Sequence, residues 1–268
     1  NTLLLAGFSA FEVLSYRWGV ASIVLIVFGW LSGCNFRLAG KDWGVVFLLS
    51  LLRAVTSFSL IIAYQNIASG VASTIHFMYP LAVALAMMFF FREKKSLLVI
   101  LAVLMSLLGA ALLSLGELEA KSGNTMVGLV AACVSVFSYA GYIVGVRTTR
   151  VVQINSTALT CYVMGLGTIF YLIGAYCTSG LQLVSDGYTW LIILGLALPA
   201  TAISNITLVQ AIKYAGPTLT SILGAMEPLT AVVIGVFVFK ELFTVNSAVG
   251  IILILLAVSI VVFRRQKS

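Results

Sequence analysis

Long apolar stretches alternate with short polar interruptions from one end of the chain to the other. A bilayer core about 30 Å thick takes about 20 apolar residues per helical span. Read against Gly, Asn and charged punctuation, the pattern predicts nine spans, at 8–31, 43–65, 71–91, 96–115, 126–147, 156–179, 188–212, 217–240 and 245–263. The connections are short, as in helix hairpins, and leave no room for a soluble domain or a catalytic lid. The pattern predicts an all-α integral membrane protein.

Composition strengthens this reading. Of 268 residues, 62% are hydrophobic and 9% charged, and the mean hydropathy is +1.16. Such a chain has too little polar surface to cover a globule in water, so the lipid bilayer is its expected solvent. The formal net charge of +7 forms no basic stripe, and no nucleic-acid partner is expected. Instead the positive residues sort by loop. One set of alternate loops carries Arg37, Lys41, Arg92, Lys94, Lys95, Arg147, Arg150, Lys213, Arg264, Arg265 and Lys267, and the opposite set only Lys121 and Lys240. Because positive residues are retained on the cytoplasmic side, the C-terminus, Cys34 and the loop at Arg92 are expected inside, with Asn1, Asn124 and Asp186 outside. Cys34, Cys133, Cys161 and Cys177 are scattered singly, without metal-ligand spacing. No metal and no cofactor are expected.

The chain also repeats itself. A shift of 148 residues lays Leu60 on Leu208, Ala63 on Ala211, Ser73 on Ser221, Met78 on Met226, Pro80 on Pro228, Leu81 on Leu229, Phe89 on Phe237, Phe91 on Phe239 and Glu93 on Glu241, without a gap. It lays the first four spans on the last four, and the fifth on residues before Asn1. The expected architecture is therefore ten helices, five plus five. The first repeat is 1–118, lacking its first helix, and the second is 119–268. Five being odd, the halves must have opposite orientations, an inverted repeat with a binding site near mid-bilayer where the halves meet.

These features resemble the drug/metabolite transporter superfamily and, within it, the EamA-type permeases. The resemblance is carried by Phe91-Arg92-Glu93 after Pro80, by its echo from Glu227-Pro228-Leu229 to Lys240-Glu241, and by Ser15-Tyr16-Arg17-Trp18. It implies a secondary transporter working by alternating access, often an exporter of amino acids or related metabolites, multi-pass in a bacterial inner membrane. Sugar, nucleotide-sugar or phosphorylated-metabolite carriage is the alternative within the family. A small-molecule substrate is implied, coupled protons are a candidate partner, and a homodimer stays open.

Individual residues narrow the site. An Arg in a span costs roughly 2.5–3.5 kcal/mol on insertion scales and must be compensated. Arg53, with Ser57 and Tyr64 at helical spacing, is either an anchor for a carboxylate or phosphate or a structural donor. Glu227 is either a proton-coupling carboxylate or an ion-pair partner of Arg53. His76, on one face with Ser73, Phe77 and Pro80, is a titratable relay or a packing residue. Pro80 and Pro228 remove backbone donors at equivalent depths and are expected hinges or gates. Tyr139 and Tyr142, with Ser135 and Ser138, and the run Thr201, Ser204 and Asn205 make further polar faces; packing is the competing reading, strengthened by Gly141 and Gly145. Tyr79 adds another ring. The 148-residue shift carries Arg53 to Thr201 and Ser57 to Asn205, so one half offers a cation where the other offers neutral groups. Glu12 and Arg17 are expected to be structural, reaching interfacial water. An embedded enzyme would need a nucleophile with its base, or a metal cluster; a channel would need rings of carbonyls or like charges. Neither pattern is present, and the expectation is not an enzyme.

Overall fold

The computed structural model describes residues 8–93, 97–114, 123–178, 180, 182–184, 186–224, 226–230 and 244–266, with the side chains at 113, 114, 247 and 261–266 left undescribed. Lys94, Lys95, Lys121, Phe237, Phe239, Lys240, Glu241 and Lys267 lie outside these residues, as do the side chains of Arg264 and Arg265. Among the described residues the structure is helical, with no strand.

In chain order the helices are α1 (Ala10–Leu31), α2 (Trp43–Asn66), α3 (Ser69–His76), α4 (Tyr79–Phe90), α5 (Leu97–Ser114), α6 (Thr125–Thr148), α7 (Ser156–Thr178), α8 (Gly187–Ala197), α9 (Ser204–Ala215), α10 (Pro217–Leu223) and α11 (Val245–Gln266). Among the described residues six stretches are long and apolar enough to cross a membrane: Ala10–Leu31, Gly40–Asn66, Ser69–Phe90, Thr125–Thr148, Ser156–Thr178 and Gly187–Ala215. Their outward faces carry large apolar side chains, with Ile23, Trp30, Phe137 and Leu191 all more than half exposed. Water would not tolerate such a surface, whereas lipid does.

Among the described residues three expected spans are interrupted, one of them at 217–240, where α10 ends at Leu223 before the helical residues 226–230. The span at 71–91 divides where α3 ends at His76 and α4 restarts at Tyr79. Pro80 explains the position: it has no N–H to donate and disfavours helical backbone at the residue before it, yet fits the first turn of a new helix. The span at 188–212 contains a π-helical turn, Leu198–Ile203, between α8 and α9. Pro199 lies in its first turn, where the missing donor loosens the ladder.

The chain forms two compact units, Asn1–Phe58 with Gly145–Tyr214 and Ser59–Val144 with Ala215–Ser268. In the first, α1 packs on α7, and α1 and α8 flank the π-turn. The α1/α7 seam depends on glycine, since a Cβ at Gly167 would stand 2.2 Å from Trp18 and one at Gly174 2.5 Å from Phe11. Such close approach is typical of helices packed through small residues in lipid. Ser9 and Glu12 form a capping box at the start of α1, and Glu12, only 1% exposed, also accepts from Gln182 N at 2.6 Å. Glu12 is structural, as expected, but it is spent on backbone donors rather than on interfacial water.

In the second unit α5 packs along α11, with α3, α4 and α10 against them. Ala84, Met88, Ala102, Val103, Ile222 and Ala257 form its core. Thr218 in the first turn of α10 donates to Glu93 Oε2 at 2.7 Å, so the acid that follows α4 ties two elements together.

Candidate functional site

The sequence-predicted residues fall into two groups, one in each unit. In the first unit, α2 presents Arg53 half-buried, α9 presents Asn205, and α1 supplies Trp18. Arg53 Nε donates to Asn205 Oδ1 at 3.2 Å and Nη1 donates to Ser57 Oγ at 3.1 Å. The guanidinium carbon stands 5.9 Å from the centre of the Trp18 ring, within cation–π range. Trp18 is itself held edge-on to Tyr171 at 5.1 Å, and the Tyr171 hydroxyl donates to Ala54 O at 2.7 Å. These contacts fix the guanidinium plane, which is what recognition of a planar carboxylate requires.

Asn205 is oriented in turn, because its Nδ2 donates to Thr201 O at 2.7 Å. With Nδ2 so used, Oδ1 is the atom left to face Arg53. Thr201 belongs to the π-turn. Its hydroxyl donates to Leu196 O at 2.9 Å and accepts from Arg17 Nε at 2.5 Å, while Arg17 Nη2 donates to Ala200 O at 3.3 Å. Arg17 therefore serves the loosened turn, with its head on protein rather than reaching for interfacial water. Thr201 and Asn205 are buried, whereas Ser204 between them is exposed and stands apart from the network.

In the second unit, the break between α3 and α4 gathers rings. His76 lies stacked on Tyr139 of α6 with centroids 5.5 Å apart, and Tyr79 stands edge-on to Tyr139 at 4.6 Å and 5.5 Å from His76. His76 Nδ1 is 2.9 Å from Ser135 Oγ, and that hydroxyl donates to Ala132 O at 2.6 Å. A Cβ on Gly224 would lie 1.8 Å from the Tyr79 hydroxyl, so glycine leaves Tyr79 its place. Ser73 pairs with the Tyr64 hydroxyl at 3.1 Å. Tyr64, on the same helical stripe as Arg53, thus has a hydrogen-bond partner within the second unit. Tyr142 is fully buried in the core, and Ser138 donates back to Val134 O at 2.7 Å. Glu227 is exposed and Pro228 buried, both within the helical residues 226–230. Gly145 packs against Leu49, where a Cβ would meet Cδ2 at 2.6 Å.

Six membrane-length helices, polar clusters inside them and an apolar exterior describe an integral multi-pass membrane protein. The sequence matches the model of the EamA-like transporter family over residues 2–115 and 126–263, and the chain belongs to that family, within the drug/metabolite transporter superfamily. It is accordingly a membrane transporter of small molecules. A solved crystal structure of a protein is similar to 100% of this chain and 94% of that one, with a TM-score of 0.81 and 18% identity; at that identity the likeness is one of fold. No curated protein matches the chain.

Proposed function

We propose that this chain is a secondary transporter that moves a small polar metabolite with an anionic end, an amino acid or related compound, outward by alternating access. The observation that carries the reading is Arg53, a cation within a membrane span whose plane is set by Asn205, Ser57 and Trp18. An intramembrane Arg is a functional site by default, and an oriented guanidinium discriminates a carboxylate from a neutral solute. The His76, Tyr79 and Tyr139 cluster, within the second unit, is a separate candidate contact for an uncharged or aromatic group. His76, hydrogen-bonded at Nδ1 to Ser135, is the group best suited to take up a coupled proton.

The inverted repeat is part of this proposal. It is supported by helix starts at the 148-residue spacing: α3 at Ser69 and α10 at Pro217, α5 at Leu97 and α11 at Val245. The repeats proposed, 1–118 and 119–268, differ from the compact units, each of which draws on both.

Counterflow of labelled amino acids into proteoliposomes tests the reading, with Arg53→Lys and Arg53→Gln beside the wild type. Lys keeps the charge and loses the planar fork, so transport should weaken; Gln loses both, so it should stop. Thermal unfolding of each variant separates loss of transport from loss of fold. Normal counterflow by well-folded Arg53→Gln protein would refute the anchor.

A further inference from the structure

The first unit contains a polar cavity of about 700 Å³, a volume typical of small-molecule sites, at the ends of α1, α2, α6 and α7 where the sequence concentrates Lys and Arg. Its walls include Arg37, Lys41, Asp42, Arg150, Gln153 and Asn155. The walls are built rather than draped. The Tyr162 hydroxyl donates to Phe36 O beside Arg37, and Lys213 Nζ donates to Ile154 O. Asn35 Oδ1 accepts from Arg37 N at 2.9 Å, and Asn155 Oδ1 accepts from Thr157 N at 2.8 Å.

Asp42 is the unusual member. It is buried to 9% exposure, and among the described residues nothing donates to its Oδ1. A buried carboxylate oxygen without a donor is costly. Yet Arg37, Lys41 and Arg150 line the same cavity without bonding to it. Three cations beside one buried acid make a site for a ligand of mixed charge: an anion carrying more than one acceptor oxygen, joined to a small hydrogen-bonding cation. The position narrows the class. Trp30 and Trp43, 78% and 45% exposed, stand at the ends of α1 and α2 on either side of the chain segment that supplies Arg37, Lys41 and Asp42, and exposed indoles at span ends sit at the level of lipid head groups.

We propose that this cavity binds the head group of an aminophospholipid, a phosphodiester carrying a primary ammonium, with the phosphate on Arg37, Lys41 and Arg150 and the ammonium on Asp42. The primary ammonium matters because it donates hydrogen bonds to a carboxylate, which a trimethylated ammonium cannot do.

The test is lipid binding to the purified full chain in detergent, followed by native mass spectrometry and thermal shift. The probes are phosphatidylethanolamine, phosphatidylcholine, phosphatidylglycerol and soluble phosphoethanolamine. Phosphatidylethanolamine should bind roughly tenfold more tightly than phosphatidylcholine, the value of one charge-assisted hydrogen bond. Asp42→Asn should erase that preference while retaining binding of phosphatidylglycerol, and Arg37→Gln with Arg150→Gln should weaken all three lipids. Asp42→Asn keeps the size and shape of the side chain, so it should fold, and its unfolding midpoint checks that it does. Equal binding of phosphatidylethanolamine and phosphatidylcholine by wild type overturns the proposal, as does a preference that survives Asp42→Asn. An equal shift from soluble phosphoethanolamine at the same concentration overturns the lipid as its source and leaves a soluble metabolite as ligand.

Discussion

At the scale of single residues, the side chains around Arg53 act by constraining one another. Asn205 can face Arg53 with its oxygen because Thr201 O takes its amide protons, and Trp18 can lie under the guanidinium because Gly167 leaves it room. Replacing Gly167 by Ala puts a methyl 2.2 Å from an indole that is 1% exposed. Overpacking of this kind costs about 1–3 kcal/mol. Gly167→Ala should therefore unfold at lower temperature than wild type and shift the tryptophan emission, and an unchanged midpoint would show that α1 and α7 are not in close contact there. Arg53 was legible in the sequence because a charge inside an apolar span is expensive wherever it stands. Asn205 was legible as part of a polar face in its own span, but its bond to Arg53 was not, since 152 positions separate them and no local spacing connects them. The acceptors of Arg17 were not legible, because they belong to a turn whose opening hydropathy does not record.

At the scale of elements, hydropathy located the described spans to within a few residues but not their interruptions. A sliding apolar pattern is indifferent to whether a stretch is one helix or two. Pro80 signalled a disturbance, and the structure resolves it as a full stop after His76 and a new start at Tyr79, which is how the ring cluster forms. Pro199 marks the second interruption, and there the π-turn depends on one hydroxyl. Thr201 Oγ1 both donates to Leu196 O and accepts from Arg17, so Thr201→Val strips two partners at once. Leaving buried groups unsatisfied costs about 1–3 kcal/mol. Thr201→Val should lower the unfolding midpoint and Thr201→Ser, which keeps the hydroxyl, should nearly restore it. Equal loss in both variants would point to the methyl group instead, and the turn would then be held by packing.

At the scale of the whole molecule, the family was legible because two copies of one pattern at a fixed spacing are hard to produce by chance, whereas the packing partners of each helix were not. Topology rests on the charge asymmetry, and thiol labelling in intact cells tests it. In a protein whose Cys133 and Cys177 are replaced by Ala, a cysteine at Gly187, where a Cβ meets nothing within 4 Å, and one at the exposed Met126 should react with an impermeant reagent. Native Cys34 should stay protected until the membrane is opened, and the reverse pattern would invert the assignment. The seam between α5 and α11 carries a different kind of consequence. A Cβ at Gly109 would fall 2.7 Å from Gly250 O and from Ile254, and the 148-residue spacing sets Gly109 opposite Ala257 and Ala102 opposite Gly250. On the proposed repeat, the two halves meet each other at their own smallest residues, and neither can enlarge there on its own without overfilling the seam. Among descendants of the same ancestor these four positions should change in compensating pairs, so that the histories of the two halves remain coupled at this seam while their lipid-facing surfaces drift apart.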